Sequence, residues 1–450
     1  MNDWSGRPTR LLRPVLLGVT ALVLAGALTL AAAIGLGGRS GDSGTAVTGS
    51  ATGSAPGIDP AAVADASDLV ASLQARLEVT PKDHRAWSNL ALAYVEQARI
   101  TADPTYYPKA RRALTRAARL APRDSVMLTA RATLQAARHE FQQSLASTDQ
   151  ALRANPYNAQ AAAIRSDALT ELGRYREALS AARRADDLDP GTSTFARLSY
   201  QAELRGDLRD ATRLMHRALE AAGTSASSYA FAAFHLGELA RAEGRPADAE
   251  RWYRAALDAD PTYMPALAGV ARLEVARGDL PAAVRDYTRV VQRLPLTEYV
   301  VELGELYDAT GRPALADEQY AVATASARLL AANGVATDLE TAVFQADHGS
   351  PAEALVAARA EWSRRQSIHT ADALAWALHA NGRDQAALGY ARQANRLGTR
   401  DARLLFHLGA IEAAYDVPAA AATLRDARSL DAGVSPWRER AIATLLAGLR

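Results

Sequence analysis

The side chains best suited to chemistry lie in the last fifth of the chain. His369, Asp372, Trp376 and His379 are spaced i, i+3, i+7 and i+10, which places them on one helix face, and His407 follows farther on. Two imidazoles and a carboxylate are ligands that Zn²⁺ or Ni²⁺ accepts. Positions ten residues apart, however, lie about 15 Å apart along a helix. His369 and His379 therefore cannot share one ion, and we expect a mixed polar face and no metal or cofactor.

Two shorter motifs also fail to predict an active site. His139-Glu140 does not begin a His-Glu-x-x-His zinc motif, because Gln143 stands where the second His is needed. Residues 41–44 read Gly-Asp-Ser-Gly, as around a serine-protease nucleophile, but they lie in a stretch of small residues with no strand pattern around it. We expect a protein that is not an enzyme, with an enzyme whose site is hidden among the helices as an alternative.

The elements around these residues are helices arranged in pairs, and the clearest pair lies at 230–261. Leu236 and Gly237 belong to an apolar stripe with helical spacing, and the small Gly237 allows a close approach. Gly244 ends that helix, and Pro246 opens a second one. The second helix carries Ala249, Tyr253 and Ala256 on one face and stops at Pro261. Such a pair cannot bury its stripe alone and needs a stacked copy of itself.

Copies of this pair recur at a fixed period. Pro122, Pro156 and Pro190 are 34 residues apart, as are Pro261 and Pro295, which is the period of the tetratricopeptide repeat. The chain resembles tetratricopeptide-repeat proteins of the bacterial, membrane-anchored type. The residues that carry the resemblance are Trp87, Leu90, Tyr94, Leu236, Gly237, Ala249, Tyr253, Ala256, Pro261, Leu303, Gly304, Tyr307, Ala316 and Tyr320.

The resemblance implies an all-α fold, a right-handed superhelical solenoid of about ten repeats. The copies run from residue 84 to residue 433, with a seven-residue insertion in the turn of the first. A leading cap helix over 61–79 and a last helix over 436–450 complete the solenoid at 61–450. In the later copies Asp416 takes the place of the turn glycine. High Ala and Leu content and the lack of alternating β-branched runs agree with this fold class.

The amino-terminal part predicts a connection to a membrane. Residues 1–13 carry Arg7, Arg10 and Arg13, and residues 14–38 contain no charged side chain. As a helix, this uncharged segment would be long enough to cross a bilayer. The positive-inside rule leaves the amino end in the cytoplasm and the solenoid on the extracytoplasmic side. Residues 39–60 are a flexible Gly/Ser/Thr linker. An uncleaved anchor is favoured, and a cleaved leader, which gives a secreted protein, is the alternative.

A second stripe on the first helix of each pair predicts a binding surface. By resemblance to the family, this face lines a concave groove for extended peptides. Its aromatic and apolar members are Phe231, Phe234, Leu339, Val343, Trp376 and Phe406. Exposed apolar patches of this size usually mark a partner site. The alternative is that these side chains pack inside the superhelix or against the last helix.

Composition narrows the function further. Lys and Arg total 51 against 50 Asp and Glu, a net charge of +1, so no overall field attracts nucleic acid. The chain has no Cys, which excludes thiol catalysis and disulfides. We therefore expect a membrane-tethered scaffold or adaptor that binds a protein or peptide. The alternative is an exported soluble adaptor or carrier of a small molecule or metal.

Overall fold

The computed structural model describes residues 60–431 and 435–449. The predicted basic terminus 1–13, the predicted membrane segment 14–38 and the linker up to residue 59 lie outside the described residues. Among the helices that are described, none is both long enough and apolar enough to cross a membrane.

The described residues contain twenty-two α-helices and no strand. Their bounds are α1 Pro60–Val79, α2 His84–Thr101, α3 Tyr106–Leu120, α4 Ser125–Ala137, α5 Phe141–Ala154, α6 Ala159–Glu171, α7 Tyr175–Leu188, α8 Thr192–Glu203, α9 Leu208–Ala221, α10 Ala226–Ala242, α11 Pro246–Ala259, α12 Met264–Arg277, α13 Leu280–Arg293, α14 Thr297–Ala309, α15 Pro313–Ala332, α16 Asp338–His348, α17 Pro351–Arg364, α18 Ile368–Ala380, α19 Asp384–Ala394, α20 Ala402–Ala414, α21 Ala420–Asp431 and α22 Pro436–Gly448.

Helices α2 to α21 form ten consecutive pairs, and α1 and α22 flank them. The all-α solenoid with about ten repeats is therefore confirmed for the described residues. Each second helix packs on the first helix of the next pair. Many successive first helices also touch, among them α2 with α4, α16 with α18, and α18 with α20. Where first helices touch, little open space remains between them on the inner face of the solenoid.

Polar caps and left-handed turn residues set where the helices begin and end. Asp124 caps α4 by accepting a hydrogen bond from the Met127 amide at 2.8 Å. Gly244 ends α10 with φ 72°, which a glycine adopts without strain. Asp416 holds the equivalent turn at φ 51°, as its place in the sequence predicted, and His139 does so at φ 60° in the second pair.

The insertion in the first repeat lengthens a helix more than it lengthens a turn. Helix α2 has 18 residues, whereas α4 and α6 have 13 each. Ala102 ends α2 in the left-handed region and is fully buried, in the same apolar cluster as Met264 and Tyr299. The added turn of helix thus reaches repeats that are far away in the sequence.

Close packing in the core joins a tyrosine to two glycines. A Cβ atom built on Gly237 would lie 2.5 Å from the Tyr253 ring, and one built on Gly269 in the next pair would lie 2.8 Å from the same ring. Gly304 stands in the same relation to Tyr320. The sequence predicted that Gly237 permits close contact. The group it accommodates is the ring of its own repeat, which fills the space that a side chain would need.

The superhelix turns tightly enough for its successive turns to touch. Arg138 Nε donates to the Gly334 carbonyl at 2.9 Å across 196 residues, and the Ile368 amide donates to Tyr175 Oη at 2.8 Å across 193 residues. One superhelical turn therefore takes roughly six repeats of 34 residues. We call this contact the seam. It consists of residues 138–142, 171–175 and 204–206 against residues 334–336, 364–369 and 398–399.

Replacing Gly237 with leucine should destabilise the solenoid. The new side chain would collide with the Tyr253 ring, and overpacking of this kind costs about 1 to 3 kcal/mol or more. Thermal unfolding followed by circular dichroism should show a melting temperature several degrees lower.

Gly389 provides the matched control, because a Cβ there meets no atom within 4 Å. Gly389→Leu adds the same side chain to an exposed helical position, where replacing glycine is neutral or favourable. Equal melting temperatures for the two variants would contradict the assigned packing of Gly237.

Candidate functional site

The structure divides the polar set of the last repeats into separate contacts. His407 Nδ1 lies 2.9 Å from Asp372 Oδ1, and both side chains are buried. Trp376 stacks on the His407 ring with centroids 4.1 Å apart and donates from Nε1 to Asp347 Oδ1 at 2.6 Å. This arrangement fixes the Trp376 ring between a histidine and a carboxylate, which is a structural role.

His369 and His379 do not join that group. His379 Nδ1 lies 2.5 Å from Asp384 Oδ1 in its own helix pair. His369 Nε2 faces Tyr200 Oη at 3.5 Å across the superhelical turn, and burial lowers the pKa of His369 to about 4. Residues 60–431 and 435–449 hold no group of three or more His, Asp or Glu side chains that could bind a metal ion.

The predicted apolar stripe is not an exposed strip. Phe231, Phe234, Leu339, Trp376 and Phe406 are all buried, which agrees with the alternative that these side chains pack inside the superhelix and not with an open apolar groove. Val343 is partly buried and packs against a core cluster. The physical reason is that successive first helices touch along this face, so the stripe packs inside the superhelix.

Helix α22 completes the burial of two members of the stripe. Trp376, Phe406 and Ile442 belong to one buried cluster, and Trp437 lies edge-on to Phe406 with centroids 5.8 Å apart. Ser435 Oγ, just before α22, donates to Glu305 Oε2 at 2.9 Å. The last helix therefore covers these two members of the stripe and also contacts α14 of the seventh pair.

Charged residues of the inner helices are largely neutralised by one another. Arg272 is buried and forms ion pairs with Glu298 and Glu302, and it lies 3.8 Å from Glu238. Burial raises the pKa of Glu302 to about 7, against the opposing effect of Arg272. Tyr253 Oη donates to Glu238 Oε1 at 2.5 Å. These groups form a network of ion pairs and hydrogen bonds within the fold.

The seam contains a buried ion cluster. Arg365 pairs with Glu171 across 194 residues and with Glu361 on α17, and all three side chains are almost fully buried. Burial raises the pKa of Glu171 to about 7. Glu340 lies nearby with neither carboxylate oxygen hydrogen-bonded to another described residue, and burial raises its pKa to about 7 although Arg365 opposes this.

An open cavity of about 540 Å³ lies at the other end of the described chain, between α1, α2 and α3. Aromatic and apolar side chains form its inner wall, and basic side chains of α3 stand at one edge. Its lining residues are Ser67, Val70, Gln74, Trp87, Leu90, Tyr94, Gln97, Tyr106, Lys109, Arg112, Ala113 and Arg116. The sequence identified Trp87, Leu90 and Tyr94 as repeat-defining core but did not indicate that a cavity reaches them.

Helix α3 carries a concentration of positive charge. It holds Lys109, Arg111, Arg112, Arg116 and Arg119 and no Asp or Glu. None of the five forms an ion pair with a described residue, whereas Arg251 and Arg254 on α11 pair with acidic neighbours on their own helix. A count of charges along the sequence finds this cluster, but only the structure shows that it is unpaired.

Comparison with known proteins supports no assignment finer than the fold. No protein-family model and no curated protein matches the chain. The solved structures that are similar include PilW, a widely conserved type IV pilus biogenesis factor, which is 21% identical with a TM-score of 0.37 and aligns over 44% of this chain and 90% of PilW. PilF of Pseudomonas aeruginosa is 18% identical with a TM-score of 0.36, over 47% of this chain and 93% of PilF.

A third similar structure is YrrB, a tetratricopeptide-repeat protein with an unusual peptide-binding site. It is 19% identical with a TM-score of 0.29, over 40% of this chain and 92% of YrrB. Because identities and TM-scores are this low, the class rests on the helix pairs of the chain itself. They define an all-α solenoid of tetratricopeptide-like repeats.

Replacing Glu340 with glutamine should stabilise the protein at alkaline pH. The pKa of Glu340 is about 7 in the folded state against an ordinary value of 4.5. Above pH 7 the folded state must hold a buried, unsatisfied carboxylate, which glutamine removes. The melting temperature of Glu340→Gln should exceed that of the unmodified protein at pH 8, and the difference should vanish as pH falls towards 4.5.

Glu318→Gln serves as the control, because it removes the same charge from an exposed position on α15. Its melting temperature should follow that of the unmodified protein across the pH range. A pH-independent effect of Glu340→Gln would show that Glu340 does not carry a raised pKa.

Proposed function

We propose that this protein is a non-enzymatic scaffold that binds a protein or peptide partner. The observation that carries this proposal is the unpaired positive charge of α3. The whole chain is nearly neutral, so five cations without a carboxylate on one helix create a local field. The members of such a cluster repel one another and form no ion pair among the described residues, which is the pattern expected where a partner supplies the opposite charge.

The repeat architecture favours a scaffold over a catalyst. Successive pairs add surface in one direction, and each pair contacts chiefly its neighbours and the seam. The polar clusters within the described residues are ion pairs and stacked rings that hold helices together. They do not assemble a nucleophile, a base and an orienting group around a common point.

We further propose that the scaffold is tethered to a membrane and faces the extracytoplasmic side. Support comes from the sequence alone, through the uncharged residues 14–38 that follow Arg7, Arg10 and Arg13. Residues 39–60 would then join the anchor to α1. The alternative is cleavage of the leader, which would leave an exported soluble adaptor or carrier.

The tether can be tested through the topology of the full chain. A phosphatase that is active only outside the cytoplasm, fused after Arg450, should be active, and a fluorescent reporter that requires the cytoplasm should stay dark. Intact-mass measurement should return the uncleaved chain. The reverse pattern from two stable fusions would refute the orientation, and a mass lacking the first residues would support the exported form.

The scaffold function can be tested by reversing charge on α3. Arg111, Arg112 and Arg116 are exposed and unpaired, so changing all three to Glu should leave the fold intact. Electrostatic steering accelerates association by about tenfold or more. Crosslinking in cells followed by mass spectrometry should recover partners with the unmodified chain, and recovery should fall about tenfold with the variant.

The control variant places the same reversals on other second helices, at Arg176, Arg209 and Arg425, which are also exposed and form no ion pair with a described residue. It should recover the partners as the unmodified chain does. Equal loss in both variants would mean that total charge matters and not α3. Equal recovery in both would place the partner surface elsewhere and overturn the observation on which the proposal depends.

A further inference from the structure

We propose that the cavity between α1, α2 and α3 binds an acidic peptide segment that carries one bulky apolar side chain. This inference rests on the proposed scaffold function and names the chemistry of the partner. The site is separate from the concave groove implied by the family resemblance, since its basic residues come from the second helix of a pair. The cavity, of about 540 Å³, is within the usual range for a ligand site.

The inner wall of the cavity suits an apolar side chain. Tyr94 and Tyr106 approach each other with ring centroids 6.1 Å apart, and Trp87 is half-buried beside Leu90. The Trp87 indole already donates to the Pro81 carbonyl at 3.0 Å, and Tyr94 Oη already accepts from Gln74. Because the Trp87 N–H is already donated and Tyr94 Oη already accepts a hydrogen bond, these rings offer mainly apolar faces to a ligand.

The edge of the cavity suits carboxylates. Lys109, Arg112 and Arg116 are spaced i, i+3 and i+7, so they lie on one face of α3. Lys109 Nζ lies 4.1 Å above the Tyr106 ring, which positions the cation next to the apolar wall. None of the three has an ion-pair partner among the described residues. An apolar side chain flanked by Asp or Glu would match both the wall and the edge.

A buried amide favours a peptide over other anions. Gln97 is 4% exposed, and its Oε1 atom has no hydrogen-bond donor among the described residues, while Nε2 donates to Ser67 Oγ at 3.3 Å. A peptide brings backbone N–H donors that could satisfy this oxygen after a small adjustment of the side chain. In a lipid, the acyl chain that would enter the apolar cavity carries no donor. We therefore favour an acidic peptide over an anionic lipid surface.

The test is a binding titration with the full chain in a neutral detergent. The probe is a fluorescein-labelled peptide, Glu-Glu-Trp-Glu-Glu, and the comparison peptides replace Trp with Ser or every Glu with Lys. We expect the probe to bind at least about tenfold more tightly than either comparison peptide. Binding should weaken with added salt, because the cations at the edge are exposed.

Two variants locate the binding. Ser67 is exposed at the mouth of the cavity, so Ser67→Trp fills it without removing a core side chain. Asp68 is the exposed neighbour that does not line the cavity, and Asp68→Trp adds the same ring outside it. We expect Ser67→Trp to weaken probe binding at least about tenfold and Asp68→Trp, which removes one negative charge, not to weaken it. Asp68→Trp should melt with the unmodified protein, and Ser67→Trp, which also removes the acceptor of the Gln97 amide, should melt at most a few degrees lower.

Each other outcome overturns the proposal. If the Ser-substituted peptide binds as tightly as the probe, the apolar side chain is not recognised. If Ser67→Trp binds the probe as tightly as the unmodified protein does, the cavity is not the binding site. Vesicles of phosphatidylglycerol that compete with the probe for the unmodified protein and for Ser67→Trp alike would assign α3 to a lipid surface. If no probe binds while cellular partners are still recovered through α3, the cavity proposal fails and the scaffold function stands. If the probe does not bind and no cellular partner is recovered through α3, the cavity proposal and the proposed scaffold function both fail.

Discussion

The contact between successive superhelical turns is the constraint on which the rest of the structure depends. Arg365 is buried between Glu171 and Glu361, and one of these carboxylates lies 194 residues away. Removing these charges from water is costly, and a buried arginine without both partners would be strongly unfavourable. The pairing therefore specifies which repeats meet more than it adds stability. His139 contributes to the same contact, because its left-handed turn directs Nδ1 to the Ala336 carbonyl at 2.7 Å.

Tight winding also determines which surfaces remain for a partner. When first helices of successive pairs touch, side chains that would line an open groove become core, as Phe231 and Leu339 show. The inner charges compensate one another, as around Arg272. Unpaired charge beside an accessible cavity is instead found on α3, at the end of the solenoid next to the predicted linker. A partner bound there would be close to the membrane if the predicted anchor is present.

The sequence predicted the features that depend on residues close together in the chain, namely helix pairs and turns. It did not predict burial and contacts that depend on residues far apart in the chain. The 34-residue period, the turn at Gly244 and the exchange of glycine for Asp416 yielded the helix pairs, since each is encoded within one repeat. The exposure of Trp376 depends on where α22 lies, and the seam joins residues that no local pattern links. Serines were a further omission. Three serine hydroxyls each donate a hydrogen bond to a carbonyl 12 residues away, on the other helix of the same pair. They belong to Ser144, Ser166 and Ser199.

The central claim, that the second and eighth repeats meet across the seam, can be measured directly because the chain has no native Cys. Gln142 and Arg364 are exposed, and Gln142 Nε2 donates to the Arg364 carbonyl at 3.1 Å. With both changed to Cys, a short bis-maleimide should link them within one chain, detected by intact mass and by peptide mapping, and unfolding in urea before the reagent is added should abolish the link. If both thiols in the folded protein instead react with separate reagent molecules, the turns do not touch and the account is contradicted.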